Sequence, residues 1–267
     1  MIDQPVRDDP LTLVCIGVVA GCLSSVAHEA IGHGGTCIAV GGRITLLTSV
    51  YFRCIGGGPI TDAGGPLGNL ALAAICWMLL QGKRSATPPL WLLLVLLMAF
   101  NGFWASGYFV YSGVLDTGDW AFAARDFFTA GVWQWRPIAV VLGVALYIAT
   151  LRSVVLAMLA VATEGPNPSG RMKRLLRVPY IAAAMSACVA AAFFKGSSVA
   201  SAGAINAVRE AAQEIGIASI GLWFAAGRYV APPTPGTILA PIVHDRRWIV
   251  SGFIAFAAFT ATMGRGI

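Results

Sequence analysis

The densest chemistry in the chain lies in "VAHEAIGHGG", residues 26–35. His28 and His33 can each give a lone pair to a metal, and Glu29 can take a proton from water. In an H-E-x-x-H segment the histidines are four apart, one helical turn, and face one ion from the same side. Here they are five apart, and Gly32 stands where the second histidine would be. In a regular helix His28 lies about 100° round from Glu29. Bringing His28 and His33 onto one ion therefore requires an extra residue in the turn, a π-bulge, a feature that concentrates at functional sites. Gly32 and the glycine pair after His33 make the backbone permissive. A second arrangement needs no bulge: Glu29 and His33, four apart, ligate, and His28 plays another part. The third option is a hydrogen-bonded polar cluster that joins helices without a metal.

A zinc site takes about three protein ligands, so a third must come from elsewhere. The remaining histidine, His244 in "APIVHDRRW", sits beside three charges and reads as a solvated loop residue. The stretch "SGVLDTGDW", residues 112–120, offers Asp116 and Asp119 between a long apolar run and the helical stretch "DWAFAARDFF". For either aspartate, capping or turn formation is the competing role. A further motif, "DAGGPLGNLALA" at 62–73, opens an apolar helix with Gly65, Pro66, Gly68 and Asn69. Proline suits a first helical turn. Asn69, one turn into that helix, needs a partner inside the protein.

The elements that carry these residues are membrane elements. Of 267 residues, 57% are hydrophobic and 11% charged, against roughly 25% charged in soluble domains; mean hydropathy is +0.76. Long apolar runs predict an all-α polytopic membrane protein with six or seven transmembrane helices. The spans fall near 11–33, 66–80, 89–114, 137–162, 178–194 and 248–263. Residues 198–226 are helical but interrupted by Arg209, Glu210, Gln213 and Glu214, giving either a span with a polar interior face or an interfacial helix and a short span. Ionisable groups in a span are costly, so Glu29 and His33, in line with Gly17, Gly21 and Ser25, are expected to face protein. The small residues on that face permit a close neighbouring helix.

Residues 40–59, β-branched and aromatic between glycine clusters, predict a strand or hairpin between the first two spans, or else a plain loop. A sheet edge cannot face lipid, so such a strand lies in protein or in an aqueous cavity, where its edge could accept an extended peptide. Six cysteines without regular spacing, most in apolar runs, predict no disulfide framework. The acidic N-terminus lacks the basic region of a cleavable signal, so the first helix is expected to stay. The net charge of +6 reads as ordinary loop charge, with no nucleic-acid partner. With seven spans, Arg7, Lys83, Arg84, Arg171, Lys173, Arg174, Arg177, Arg228, Arg246 and Arg247 fall on the N-terminal side. Arg43, Arg53, Arg125, Arg136, Lys195 and Arg265 fall on the other. That bias favours an internal N-terminus.

Taken in order, "HEAIGH", the glycine-bounded β-like segment, "GGPLGN" and "LDTGDW" resemble the site-2 protease family of intramembrane zinc metalloproteases, over about residues 20–130. The resemblance implies a metalloprotease-like membrane core in 1–136 and leaves 137–267 as additional transmembrane helices of unknown role. It implies His28 and His33 as zinc ligands, Glu29 as the base that activates water, and Asp116 or Asp119 as third ligand. Asn69 would help to hold substrate or the transition state. The substrate would be a membrane-spanning protein, the strand segment would present an edge to it, and the setting would be a bacterial inner membrane. Departures are the five-residue histidine spacing, the lack of a proline-rich approach to the aspartate, and the lack of a PDZ-like insertion. The family also places its site toward the cytosol, whereas the charge bias puts the end of the first span outside. Rival expectations are a metal-dependent membrane enzyme acting on lipid or a small molecule, and a non-catalytic relic, transporter or assembly factor. Oligomeric state is left open.

Overall fold

A computed structural model describes residues 7–82, 87–127, 134–162, 167–195, 203–228 and 237–267. In chain order, α1 (Pro10–Ala39) leads into the antiparallel hairpin β1 (Arg43–Leu47) and β2 (Phe52–Ile55). Then come α2 (Pro59–Gly82), α3 (Pro88–Leu115), the short α4 (Asp119–Phe127), α5 (Trp135–Leu159) and α6 (Pro168–Ala191). Residues 203–227 follow as α7 (Gly203–Ala211), a π turn, a 3-10 turn and α8 (Gly221–Gly227), and α9 (Arg246–Gly264) closes the chain. Among the described residues six helices, α1, α2, α3, α5, α6 and α9, are long and apolar enough to cross a membrane. A two-residue parallel pair joins Val161–Ala162 to Thr237–Ile238.

The helix starts follow from sequence. Proline opens α1, α2, α3 and α6, where its missing N–H costs nothing; in α2 the opening proline is Pro59, and Pro66, expected in the first turn, lies inside the helix. Asp9 caps α1 by accepting the Thr12 N–H at 2.8 Å. At the centre stands α3, whose Leu92, Leu96, Phe100, Phe103 and Trp104 are fully buried against α2 and α5. By contrast α5 and α9 turn Ile138, Val141, Val250 and Phe253 outward, rows suited to acyl chains. The small-residue face of α1 meets α6: Gly17 abuts the backbone of Pro179 and Gly21 abuts Ala183, the close approach that small residues allow.

Two sets of contacts define the ends of the bundle. At one end Arg171 donates to both oxygens of Asp8 at 2.8 and 2.9 Å and to the Leu239 carbonyl at 2.7 Å. The Asp9 N–H donates to Ile242 there, so the starts of α1, α6 and α9 lie together. At the other end Leu47 and Ile267 exchange backbone hydrogen bonds, and the Ser49 N–H donates to Met263. Between α6 and α9 the chain must therefore return, and residues 203–227 do so alongside α6. Val208 meets Cys188, Gly216 meets Tyr180 and Trp223 meets Arg177, an antiparallel order. The ambiguous polar segment thus runs back antiparallel to α6, broken into short pieces around Gln213 and Glu214, and is not among the six helices long and apolar enough to cross a membrane.

The 40–59 segment forms the expected hairpin, but one expectation fails. Cys37 and Cys54 form a disulfide that ties the end of α1 to β2. Sequence spacing gave no sign of it because the two meet only when the hairpin folds back on the helix. The free cysteines are helix residues, with Cys15, Cys22 and Cys76 buried. Replacing Cys37 and Cys54 together by serine should lower unfolding stability by about 3 kcal/mol, the chain-entropy value for a loop of this size. Denaturant unfolding of the purified protein would measure it, and an unchanged midpoint would mean that the staple does not hold the hairpin.

Candidate metal centre

Within α1, residues Val26–Gly34 form a π-helix. The wider turn makes positions five apart neighbours, as positions four apart are in an α-helix. His28 and His33 consequently meet edge to face, with ring centroids 4.9 Å apart. The π-segment ends in glycines, and Gly32 crosses Gly64 and Gly65 of α2 so closely that a Cβ there would collide with backbone. The same crossing fixes the depth at which α2 passes the histidines.

The third member comes from beyond α3. Asp119 Oδ2 lies 3.1 Å from His28 Nε2 and 3.4 Å from His33 Nε2. All three ligand atoms lie within 4.8 Å of one another. Ligands about 2.0 Å from a tetrahedral ion are separated by about 3.3 Å, so both aspartate–histidine separations suit ligands of one ion. Asp116 stands outside this group. It ends α3 in the left-handed conformation, φ 56°, its carbonyl accepts from Arg125 at 2.6 Å, and its carboxylate faces that guanidinium at 3.8 Å. The left-handed turn and Gly118, also at positive φ, reverse the chain and bring Asp119 over the histidines. Of the two sequence candidates, the geometry therefore favours Asp119, and Asp116 is the turn residue.

Surrounding groups prepare the nitrogens. His33 Nδ1 donates to the Thr61 carbonyl at 2.7 Å, and because a carbonyl only accepts, that bond leaves Nε2 with the lone pair. His28 is stacked flat on Trp104 at 4.5 Å and His33 on Phe52 of β2 at 5.3 Å. Burial works to raise the Asp119 pKa, but when His33 is protonated its charge and hydrogen bonds from both histidines outweigh that effect and hold the carboxyl below its usual range. The ionised form is the one that ligates.

Two further observations fit a metal and a reacting group. Gly65 faces both Nε2 atoms: a Cβ there would sit 2.6 Å from His28 Nε2 and against His33 Nε2, so only glycine keeps that approach clear. Glu29 and Asn69 are 2% and 0% exposed, yet among the described residues Glu29 Oε2 and both polar atoms of the Asn69 amide have no hydrogen-bond partner. Buried polar groups without partners are costly, and Glu29, within reach of the charges of His33 and Asp119, suits a reacting group. Sequence spacing did not reveal Thr61, Trp104 or Phe52, which act on the histidines through a carbonyl and ring faces and carry no motif. His244 lies apart, beside Asp9.

Comparison of the chain with protein-family models, curated proteins and solved structures gave no match.

Gly65→Ala should abolish metal retention, while Gly82→Ala, where nothing lies within 4 Å, should leave it intact. Asp119→Asn should likewise lose the metal and Asp116→Asn keep it. Metal content of the purified variants measures all four, and retention by Gly65→Ala or Asp119→Asn would break the assignment.

Proposed function

We propose that the chain is an intramembrane zinc metalloprotease, hydrolysing a peptide bond in a membrane-spanning substrate. The observation that carries this reading is the convergence of His28, His33 and Asp119 beside a buried Glu29 whose Oε2 has no hydrogen-bond partner among the described residues. Two imidazoles and a carboxylate are the ligand chemistry of catalytic zinc with an open position. An ion held there would polarise the scissile carbonyl and lower the pKa of water towards 7.

The chain's own groups then divide the work. Glu29 takes the proton of the attacking water on its free carboxylate oxygen and returns it to the leaving amine. The Asn69 amide, buried and without a hydrogen-bond partner among the described residues, donates to the oxygen on which charge develops. Gly65 leaves the approach to the histidines open, and Phe52 ties β2 to His33. Among the described residues the hairpin sheet has two strands, and the Leu47 end of β1 is bonded to Ile267, which leaves the outer edge of β2 for an extended substrate. A helical substrate must unwind to use that edge, because its carbonyls are otherwise hydrogen-bonded.

The centre is assigned to the non-cytoplasmic side. Support comes from the Cys37–Cys54 disulfide, at home in an oxidising compartment, and from the Lys/Arg bias of the chain when read with seven passes. That orientation is inverted relative to the site-2 protease family. Glu29→Gln should keep its metal and lose cleavage by a factor of about 10² to 10⁴, the usual worth of a general base. Comparing new protein termini in membranes that carry wild type or Glu29→Gln measures this. Termini found only with wild type support proteolysis, and identical sets would end that reading.

A further inference from the structure

The broken segment 203–227 borders a cavity of about 440 Å³ between α3, α5 and residues 210–218, within the range of roughly 300–1,000 Å³ typical of ligand sites. Its walls are mostly apolar, aliphatic at Val144 and Ile148 and aromatic at Tyr108, Tyr111 and Tyr147, with Glu210, Gln213 and Glu214 on the broken segment. Tyr108 is the partition between this cavity and the metal centre. Its ring lies 5.4 Å from the His28 ring, and its hydroxyl donates to Glu214 Oε1 at 3.3 Å.

Glu214 is the group that the fold does not explain. It is 4% exposed and lies in a π turn, a local form found mostly at functional sites. Its neighbour Glu210 has a cation, Arg209, at 3.2 Å at the rim. Glu214 has none among the described residues; its one hydrogen bond is from Tyr108. A carboxylate in an apolar wall without a cation is expensive, and within a membrane bundle it marks a ligand or ion path by default. Interrupted membrane helices also bind ligands at their breaks.

We propose that this cavity is a binding subsite for an alkyl chain ending in a hydrogen-bond-donating cation, the chemistry of a lysine or arginine side chain, with Glu214 as its counter-ion. Aliphatic walls take the stem, tyrosine faces attract the charge, and the Glu214 and Gln213 oxygens accept the N–H groups. Only the assignment of that cation to a protein substrate rests on the protease reading, in which the cavity selects a basic residue near the scissile bond; the binding itself does not.

Thermal unfolding of the purified full chain with n-butylguanidinium, n-butyltrimethylammonium and n-butanol tests it. Butylguanidinium should raise the midpoint saturably, and Glu214→Gln should weaken its apparent affinity about tenfold or more, the worth of a charged hydrogen bond. Val144→Phe, which fills the aliphatic end from an outward-facing position, should weaken it likewise. Both variants should retain the metal, which checks folding and separates this outcome from the fate of the protease reading. Equal stabilisation by butanol, no binding to wild type, or unchanged affinity in Glu214→Gln and Val144→Phe would overturn the subsite. Tighter binding of butyltrimethylammonium would replace the basic side chain with a quaternary-ammonium headgroup as occupant, and would overturn that part of the assignment.

Discussion

Everything at the candidate centre depends on one extra residue per turn between Val26 and Gly34. A regular α-helix would point His28 and His33 in different directions and leave Asp119 with one of them. The wider π turn makes them neighbours and lets one carboxylate oxygen reach both. Such a turn gives up backbone hydrogen bonding of ordinary geometry, and it persists only where the surroundings hold it. Here the holding elements are the Gly32 crossing with Gly64 and Gly65, the Thr61 carbonyl on His33, and the ring stacks on Trp104 and Phe52.

The rest of the bundle serves that segment. The central α3 supplies Trp104 behind His28 and ends in the left-handed Asp116, whose turn delivers Asp119. The hairpin is anchored to α1 by Cys37–Cys54 and touches the centre through Phe52. On the opposite side of His28, Tyr108 connects the centre to the Glu214 cavity. A buried imidazole pair and two buried glutamates thus lie along one path. In a low-dielectric setting such groups are tolerable only with partners; among the described residues Glu29 Oε2 has no hydrogen bond and Glu214 has one, from Tyr108, but no cation.

Much of this was legible in the sequence, and the reasons are physical. Apolar runs longer than a bilayer thickness give away the spans, and β-branched residues between glycines give away the hairpin. The five-residue histidine spacing, taken with Gly32, allows a π-bulge but equally a Glu29–His33 pair without one, and the π-helix at Val26–Gly34 decides between them. The third ligand was narrowed to two aspartates and no further, because the choice depends on the left-handed turn at Asp116. The Cys37–Cys54 bond was misjudged since cysteine spacing says nothing about a helix end meeting a folded-back strand. Residues 203–227 stay ambiguous from sequence because Arg209, Glu210 and Glu214 lower their hydropathy below that of a span. Their contacts with α6 show the direction in which the segment runs, antiparallel to that helix.

The central claim is that the π turn brings both histidines onto one ion. Elemental mass spectrometry of the purified wild type, His28→Ala and His33→Ala tests it most directly. About one zinc per chain is expected in wild type and little in either variant, as for a site with three protein ligands. Zinc lost only with His33→Ala would contradict it in favour of a Glu29–His33 pair. A wild type that takes up no zinc when supplied would contradict the metal centre altogether.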